Sequence, residues 1–231
     1  MRTARCAAPV AVALVVALLV ACAPPPREPA PALPPQFDQA YYQQAAAQGR
    51  AVLRVDPAQS LAVIEVRRGG VLARFGHDHV VASHGVEGFI APQDGRADLY
   101  VALDALSVDE PALRAEAMLD TQPSQADIEG TRANMLEKVL EADRFPHAII
   151  RVRRIDTAAS NFDVSLILHG VTRTFTVPVR IENAGGQMSA SGRFSFDQSD
   201  FGITPFSILG GAIQVQDRVE LRFQIRARIQ P

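Results

Sequence analysis

The C-terminal stretch of the chain leaves little freedom in how it folds. Val219, Leu221, Phe223, Ile225, Ala227 and Ile229 alternate with Arg218, Glu220, Arg222, Gln224, Arg226 and Arg228. A period of two puts the first set on one face of a β-strand and the second set on the other. A strand that is apolar on one side and charged on the other belongs in an antiparallel sheet, with one face on a core and one in water. The alternation recurs in Phe162, Val164, Leu166 and Leu168 against Asp163 and Ser165. It recurs again in Phe175, Val177, Val179 and Ile181 against Thr174, Thr176 and Arg180, and in Leu99, Val101 and Leu103. Residues 60–67, 80–90, 147–155 and 188–196 read as further strands, with turns at Gly69-Gly70, Gly170 and Gly185-Gly186. The total is about eight strands.

Helical periodicity is clear once. Ser124 is a candidate N-cap, and Ile128, Met135, Leu136, Val139 and Leu140 share a face before Pro146 ends the pattern. Residues 111–118 predict a further turn or two of helix. One or two helices set into a run of half-polar strands argue against an alternating α/β fold and for a closed or nearly closed antiparallel barrel. The fold class is therefore all-β: an antiparallel barrel of about eight strands with one or two inserted helices. Such a barrel encloses space for packed side chains or one slender ligand. With no Trp and 11 Phe, its inward faces are mostly Val, Leu, Ile and Ala, which leave room for a hydrocarbon chain.

The N-terminus reads as targeting rather than fold. Arg2 and Arg5 precede an apolar run from Ala7 to Ala21 that is short for a bilayer core of ~30 Å. Leu19-Val20-Ala21-Cys22 resembles the bacterial lipobox, in which the cysteine is acylated after cleavage just before it. The expectation is a signal peptide over residues 1–21, a lipid anchor on Cys22 and a periplasm-facing protein of the bacterial envelope. By resemblance to Gram-negative lipoprotein sorting, Ala23 at the next position favours the outer membrane. Prolines dominate from Ala23 to Pro35, as in an extended tether. Residues 22–48 are read as linker, although residues 37–48 fit either a short helix on the barrel or more linker. The barrel domain is expected over residues 49–231. Cys6 lies within the signal, so the domain's stability rests on its core and not on disulfides. A net charge of −2 supplies no basic field that would attract nucleic acid or an anionic membrane surface.

Several segments together resemble the YceI-like family of periplasmic, lipocalin-like barrels that bind polyisoprenoid lipids. They are Gly130-Thr131-Arg132-Ala133-Asn134-Met135 with Lys138-Val139-Leu140 and Arg144-Phe145-Pro146, then Leu168-His169-Gly170-Val171-Thr172-Arg173, and Ser199-Asp200-Phe201-Gly202-Ile203. The resemblance spans about residues 52–227. It implies an eight-stranded extended barrel, a covering helix, an apolar internal pocket, frequent dimerisation, no catalytic machinery and no cofactor. The expected partner is a long-chain isoprenoid or similar apolar lipid, stored or shuttled. Alternation nominates Val101, Leu103, Phe162, Val164, Leu166, Phe175, Val177, Phe194 and Leu221 as lipid-binding residues.

A competing reading starts from Gly76-His77-Asp78-His79. In an extended strand His77 and His79 project to one face, as two metal ligands do, and His84, His147 and His169 are candidates for a third. That reading is a metal-binding protein or a metal-dependent enzyme centred on His77 and His79. Against it, the same histidines can close a turn, and His169 before Gly170 fits a bond to a turn carbonyl. Ser83 and His84 are sequence neighbours and point to opposite faces, so they make no nucleophile–base couple. Glu137 and Glu141 fit a solvated helix edge. A third reading is a structural envelope barrel filled by its own side chains.

Overall fold

The computed structural model describes Pro34, residues 36–154 and residues 160–229. The signal, Cys22 and residues 23–33 of the proline-rich stretch lie outside the described residues. The elements run as follows: helix α1 Gln39–Ala47, then strands β1 Leu53–Val55, β2 Leu61–Val66, β3 Arg68–Gly69, β4 His79–Ser83, β5 Glu87–Ala91, β6 Arg96–Ala102 and β7 Ser107–Val108. Helices α2 Pro111–Glu116 and α3 Gln125–Asn134 follow, α3 continuing into a π-helical turn Met135–Val139. Strands β8 His147–Arg154, β9 Asn161–Leu168, β10 Val171–Ala184, β11 Gln187–Asp197, β12 Ser207–Ile208, β13 Ile213–Val215 and β14 Arg218–Ile229 complete the fold.

The main sheet closes on itself. Its order is β1-β5-β6-β8-β9-β10-β11-β14-β2-β4-β7, and β1 also pairs with β14. Strand β1 lies between β14 and β5, while β2 lies between β14 and β4. Thus β1 and β2 are one barrel strand interrupted by a 3-10 turn at Pro57–Gln59, and β4 and β5 are a second one. With β6, β8, β9, β10, β11 and β14 the barrel has eight antiparallel strands. The continuous strand expected over residues 80–90 is broken at residues 84–86, between β4 and β5; within β5, Gly88 sits at φ 140° with its Cα face against the carbonyl of Asp98. A Cβ there would lie 2.2 Å from that oxygen, so only glycine fits the approach.

One joint in the wall differs from the others. Strand β10 pairs with β9 from Val171↔Leu168 to Pro178↔Asn161, but with β11 only from Val179↔Gly192 to Ala184↔Gln187. Proline has no N–H to donate, which suits the point where β10 changes neighbours. Beyond it, Phe175, Phe194, Phe196 and Phe201 fill the gap with ring centroids 5.2–6.3 Å apart, the spacing of tilted aromatic packing.

Helix α1 resolves the sequence ambiguity before residue 49. Tyr42 and Ala45 are buried against the barrel, and the Tyr42 hydroxyl donates to Asp98 Oδ2 at 2.7 Å. The Arg96 guanidinium bonds the same oxygen at 2.7 Å and Asp38 at 2.8 Å, and stacks 3.8 Å above the Tyr41 ring. Phe37 packs edge-on to Tyr100 at 5.3 Å. The expected linker is corrected here: residues 36–48 belong to the folded unit, tied by partners some fifty positions away that local sequence does not reveal. Burial, with the hydrogen bond to Asp98, pushes the Tyr42 hydroxyl pKa well above the ordinary tyrosine range.

Candidate functional site

Inward residues of the eight strands enclose an elongated cavity of about 280 Å³. This is just below the ~300–1,000 Å³ of most small-molecule sites and is drawn out along the barrel axis. At one end it reaches Val66, Leu103, Phe196 and Val219, and at the other Pro92, Val152, Arg154 and Met188. Its wall is almost wholly apolar: among the described residues Ser83, Arg96, Arg154 and Gln198 are the polar side chains on it, and no carboxylate lines it. This bore follows directly from alternation, since each strand turns its Val, Leu, Ile or Phe residues inward and its charges to water.

Of the nine residues nominated from sequence, Val101, Leu103, Phe162, Val164, Leu166, Phe194 and Leu221 line the cavity. Phe175 and Val177 do not line it. Both face inward, but Phe175 is taken up in the phenylalanine joint. Val177 is fully buried in a packed group with Phe162, Val164 and Val179. Alternation assigns a face; whether the residue borders open space depends on how neighbouring strands converge. Leu103 reaches the cavity from a 3-10 turn after β6, not from the strand. Ala148, Ile150, Val152, Val179, Ile181 and Ile225 also line it and carried the same period-two signal.

One mouth is covered. Helix α3 begins with a capping box in which the Ser124 hydroxyl accepts from the Asp127 amide at 3.2 Å and Asp127 accepts from the Ser124 amide at 3.0 Å. The Ser124 hydroxyl, which also donates to the Asp127 carboxylate at 2.7 Å, and then the Ser124 amide hold that carboxyl below its ordinary pKa. Met135, Val139 and Leu140, on the face expected from sequence, project from the π-helical turn and the residue after it onto the cavity. The cover is pinned at its end: His169 Nε2 pairs with Glu141 at 3.1 Å, and His169 Nδ1 donates to the Phe201 carbonyl at 3.3 Å. The Phe145 ring lies 4.5 Å from the imidazole. Three segments far apart in sequence, ending in Phe145, His169 and Phe201, thus meet at one rim. His169 does bond a carbonyl, although across the rim and not within its own turn. Glu141 is not purely a solvated edge, and the hydrogen bond from His169 holds its carboxyl below the ordinary pKa.

The structure does not assemble the histidines into one centre. His79 Nδ1 donates to Asp109 Oδ2 at 2.6 Å, and Asp109 Oδ1 accepts from Arg114 at 2.6 Å and from the Val80 amide at 3.1 Å. Burial opposes ionisation of Asp109, yet His79, Arg114 and the Val80 amide hold its carboxyl below the ordinary range. His77 lies before β4 with its ring 6.1 Å from that of His79. His84 pairs with Glu110, and His147 packs edge-on to Tyr100. Among the described residues no three His, Cys, Asp or Glu side chains form a metal-holding group. The candidates for a third ligand beside His77 and His79 are therefore bound elsewhere. The buried Asp109–Arg114 pair had no sequence signal beyond an acid and a base five residues apart.

A closed antiparallel barrel built around a narrow apolar bore, with a helix over one mouth, defines the class: internal-cavity barrels of the lipocalin-like kind. The YceI-like domain model matches residues 53–227, so the chain belongs to the YceI-like family. A polyisoprenoid-binding domain from Saccharophagus degradans, implicated in plant cell wall breakdown, superposes with TM-score 0.56 at 12% identity, covering 78% of this chain and 99% of that one. BcnA from Burkholderia cenocepacia superposes with TM-score 0.53 at 17% identity over 74% of this chain and 98% of its own. At these identities the likeness establishes the fold. No curated protein sequence matches the chain.

Proposed function

We propose that this protein binds one long-chain apolar lipid, an isoprenoid or a hydrocarbon of similar width, inside the barrel, and stores or shuttles it without catalysing a reaction. The observation that carries this reading is the bore itself: an elongated cavity whose wall bears no carboxylate and four polar side chains among dozens of apolar ones. A chain that buries ~10 methylenes at ~0.8 kcal/mol each gains ~8 kcal/mol before ordering costs, which suffices for retention. The polyisoprenoid-binding description of the Saccharophagus domain supports an isoprenoid among such ligands. The lipobox supports a second element of the reading, attachment through acylated Cys22 to the bacterial envelope, with Ala23 favouring the outer membrane.

Native mass spectrometry of the full chain, expressed in a bacterium and released from membranes under mild conditions, tests the binding reading. The expected result is one apolar adduct per chain that organic extraction removes. A protein that carries no adduct, and takes up none from excess polyprenol, overturns it.

A further inference from the structure

At the covered end of the barrel a small lobe stands out from the wall. Strands β12, β13 and β3 form a separate three-stranded sheet there, extending the chain beyond β2 and ahead of β14. The lobe is tightly tied together. The Leu72 amide donates to the Ala212 carbonyl at 2.8 Å. Gly70, at φ 88°, leaves no space for a Cβ, which would fall 2.5 Å from the same carbonyl oxygen.

This lobe displays what a water-facing surface ordinarily hides. Val71 is 90% exposed, Phe75 62%, Ile208 47% and Leu209 71%; they make up four of the six large apolar side chains exposed among the described residues. Single exposed apolar residues are ordinary, but several on one lobe mark an interaction surface. Leu209 adds an independent sign, because it is held at φ 51°, a conformation costly for a branched side chain. The fold accepts that strain and turns the leucine outward.

The charge pattern identifies the partner. From Arg67 to His77 the sequence contains Arg67, Arg68 and Arg74 and no carboxylate, and from Phe201 to Gln216 it contains no charged residue at all. Arg67 and Arg68 pair with Glu65, Asp78 and Asp120 at the base of the lobe. Arg74 has no ion-pair partner among the described residues, and its guanidinium lies 4.7 Å over the Phe75 ring. An arginine stacked on a phenylalanine at a protruding apolar tip suits the boundary of a bilayer, with the rings and branched chains among acyl chains and the guanidinium at phosphate level. A second copy docked tip to tip would instead set Arg74 against Arg74.

We infer that this lobe is a membrane-contact tip: Val71, Phe75, Ile208 and Leu209 enter the interfacial layer of a bilayer, Arg74 meets anionic headgroups, and the covered mouth of the barrel faces that surface. The docking is separate from any attachment through Cys22 and does not depend on what the cavity holds.

The chain has no tryptophan, so one introduced residue reports its own surroundings. Phe75→Trp and Leu209→Trp are compared with Arg193→Trp, whose site on the outer wall is 75% exposed. Each full chain is mixed with phosphatidylethanolamine–phosphatidylglycerol vesicles carrying a fraction of brominated lipid, after circular dichroism shows retained strand content. Attachment elsewhere in the chain acts on all three probes, so the comparison isolates the lobe. The expected result is a blue shift and at least threefold stronger bromine quenching at positions 75 and 209 than at 193. In the Phe75→Trp chain, adding Leu209→Ser should reduce the quenching at least twofold. Equal quenching at all three positions overturns the inference. So does a concentration-dependent blue shift of the tip probes without vesicles, which assigns the surface to a second copy.

Discussion

Leu166 gives the most direct test of the bore. Its side chain points into the cavity between Ile150 on β8 and Arg173 on β10, its ladder neighbours. Leu166→Lys puts an ammonium group where no carboxylate lines the wall, so the charge keeps water around it and denies that length of bore to hydrocarbon. If hydration excludes about four methylenes at ~0.8 kcal/mol each, the ligand loses roughly 3 kcal/mol, about a 200-fold loss of affinity. Ser165→Lys, one position along, faces outward. It forfeits only the 2.8 Å bond between the Ser165 and Thr174 hydroxyls, a surface change within ~0.5 kcal/mol. Leu166→Phe fills space without charge and should favour a shorter chain. The assay is native mass spectrometry of lipid bound to each variant, restricted to variants whose circular dichroism retains the strand signal. A folded Leu166→Lys protein with the wild-type complement of lipid would refute the argument, because a charged bore does not hold hydrocarbon.

Tyr42→Phe should destabilise the barrel by about 1–3 kcal/mol in urea unfolding, since Asp98 is buried and already has one oxygen without a hydrogen bond. Arg114→Met should cost about 3–5 kcal/mol by leaving Asp109 buried and charged, and adding Asp109→Asn should recover part of it in a double-mutant cycle. The Asp109 pKa is depressed in the folded state, so its contribution is complete above the unfolded value near ~4 and is lost as pH falls through the lower folded value. An acid titration of stability should therefore be shallower for Asp109→Asn than for wild type. Cys22→Ser should abolish acylation and shift the protein out of the membrane fraction or leave it uncleaved, as fractionation and intact-mass measurement would show.

Most of the wall was legible because a barrel strand repeats one instruction every second residue. The run from Val219 to Ile229 and the run from Phe162 to Leu168 both read as they fold. Ser124 announced helix α3 by a purely local device, an N-cap, which the structure completes as a capping box with Asp127. What escaped depended on distant partners. Whether α1 docks is decided by Asp94, Asp98 and Arg96 across the barrel. The fates of Phe175 and Val177 are decided by how β10 and its neighbours diverge. The lobe of β3, β12 and β13 escaped for the opposite reason: its apolar residues face outward, so they imitate a core signal without a core. His77 and His79 share a sequence pattern with metal sites, and only the position of Asp109 shows how the second imidazole is bound.

The joint between β10 and β11 has a mechanical consequence. Among the described residues the other neighbouring strands are stitched along most of their length by ladder bonds, so the barrel resists stretching like a hoop under tension. From Val171 to Val177 no such stitching to β11 exists, and four phenylalanine rings hold the two edges together. Dispersion contacts yield gradually and re-form in new arrangements, whereas a broken ladder bond strands two polar groups. The hoop is therefore elastic at one place on its circumference, and a change in its girth is taken up there first.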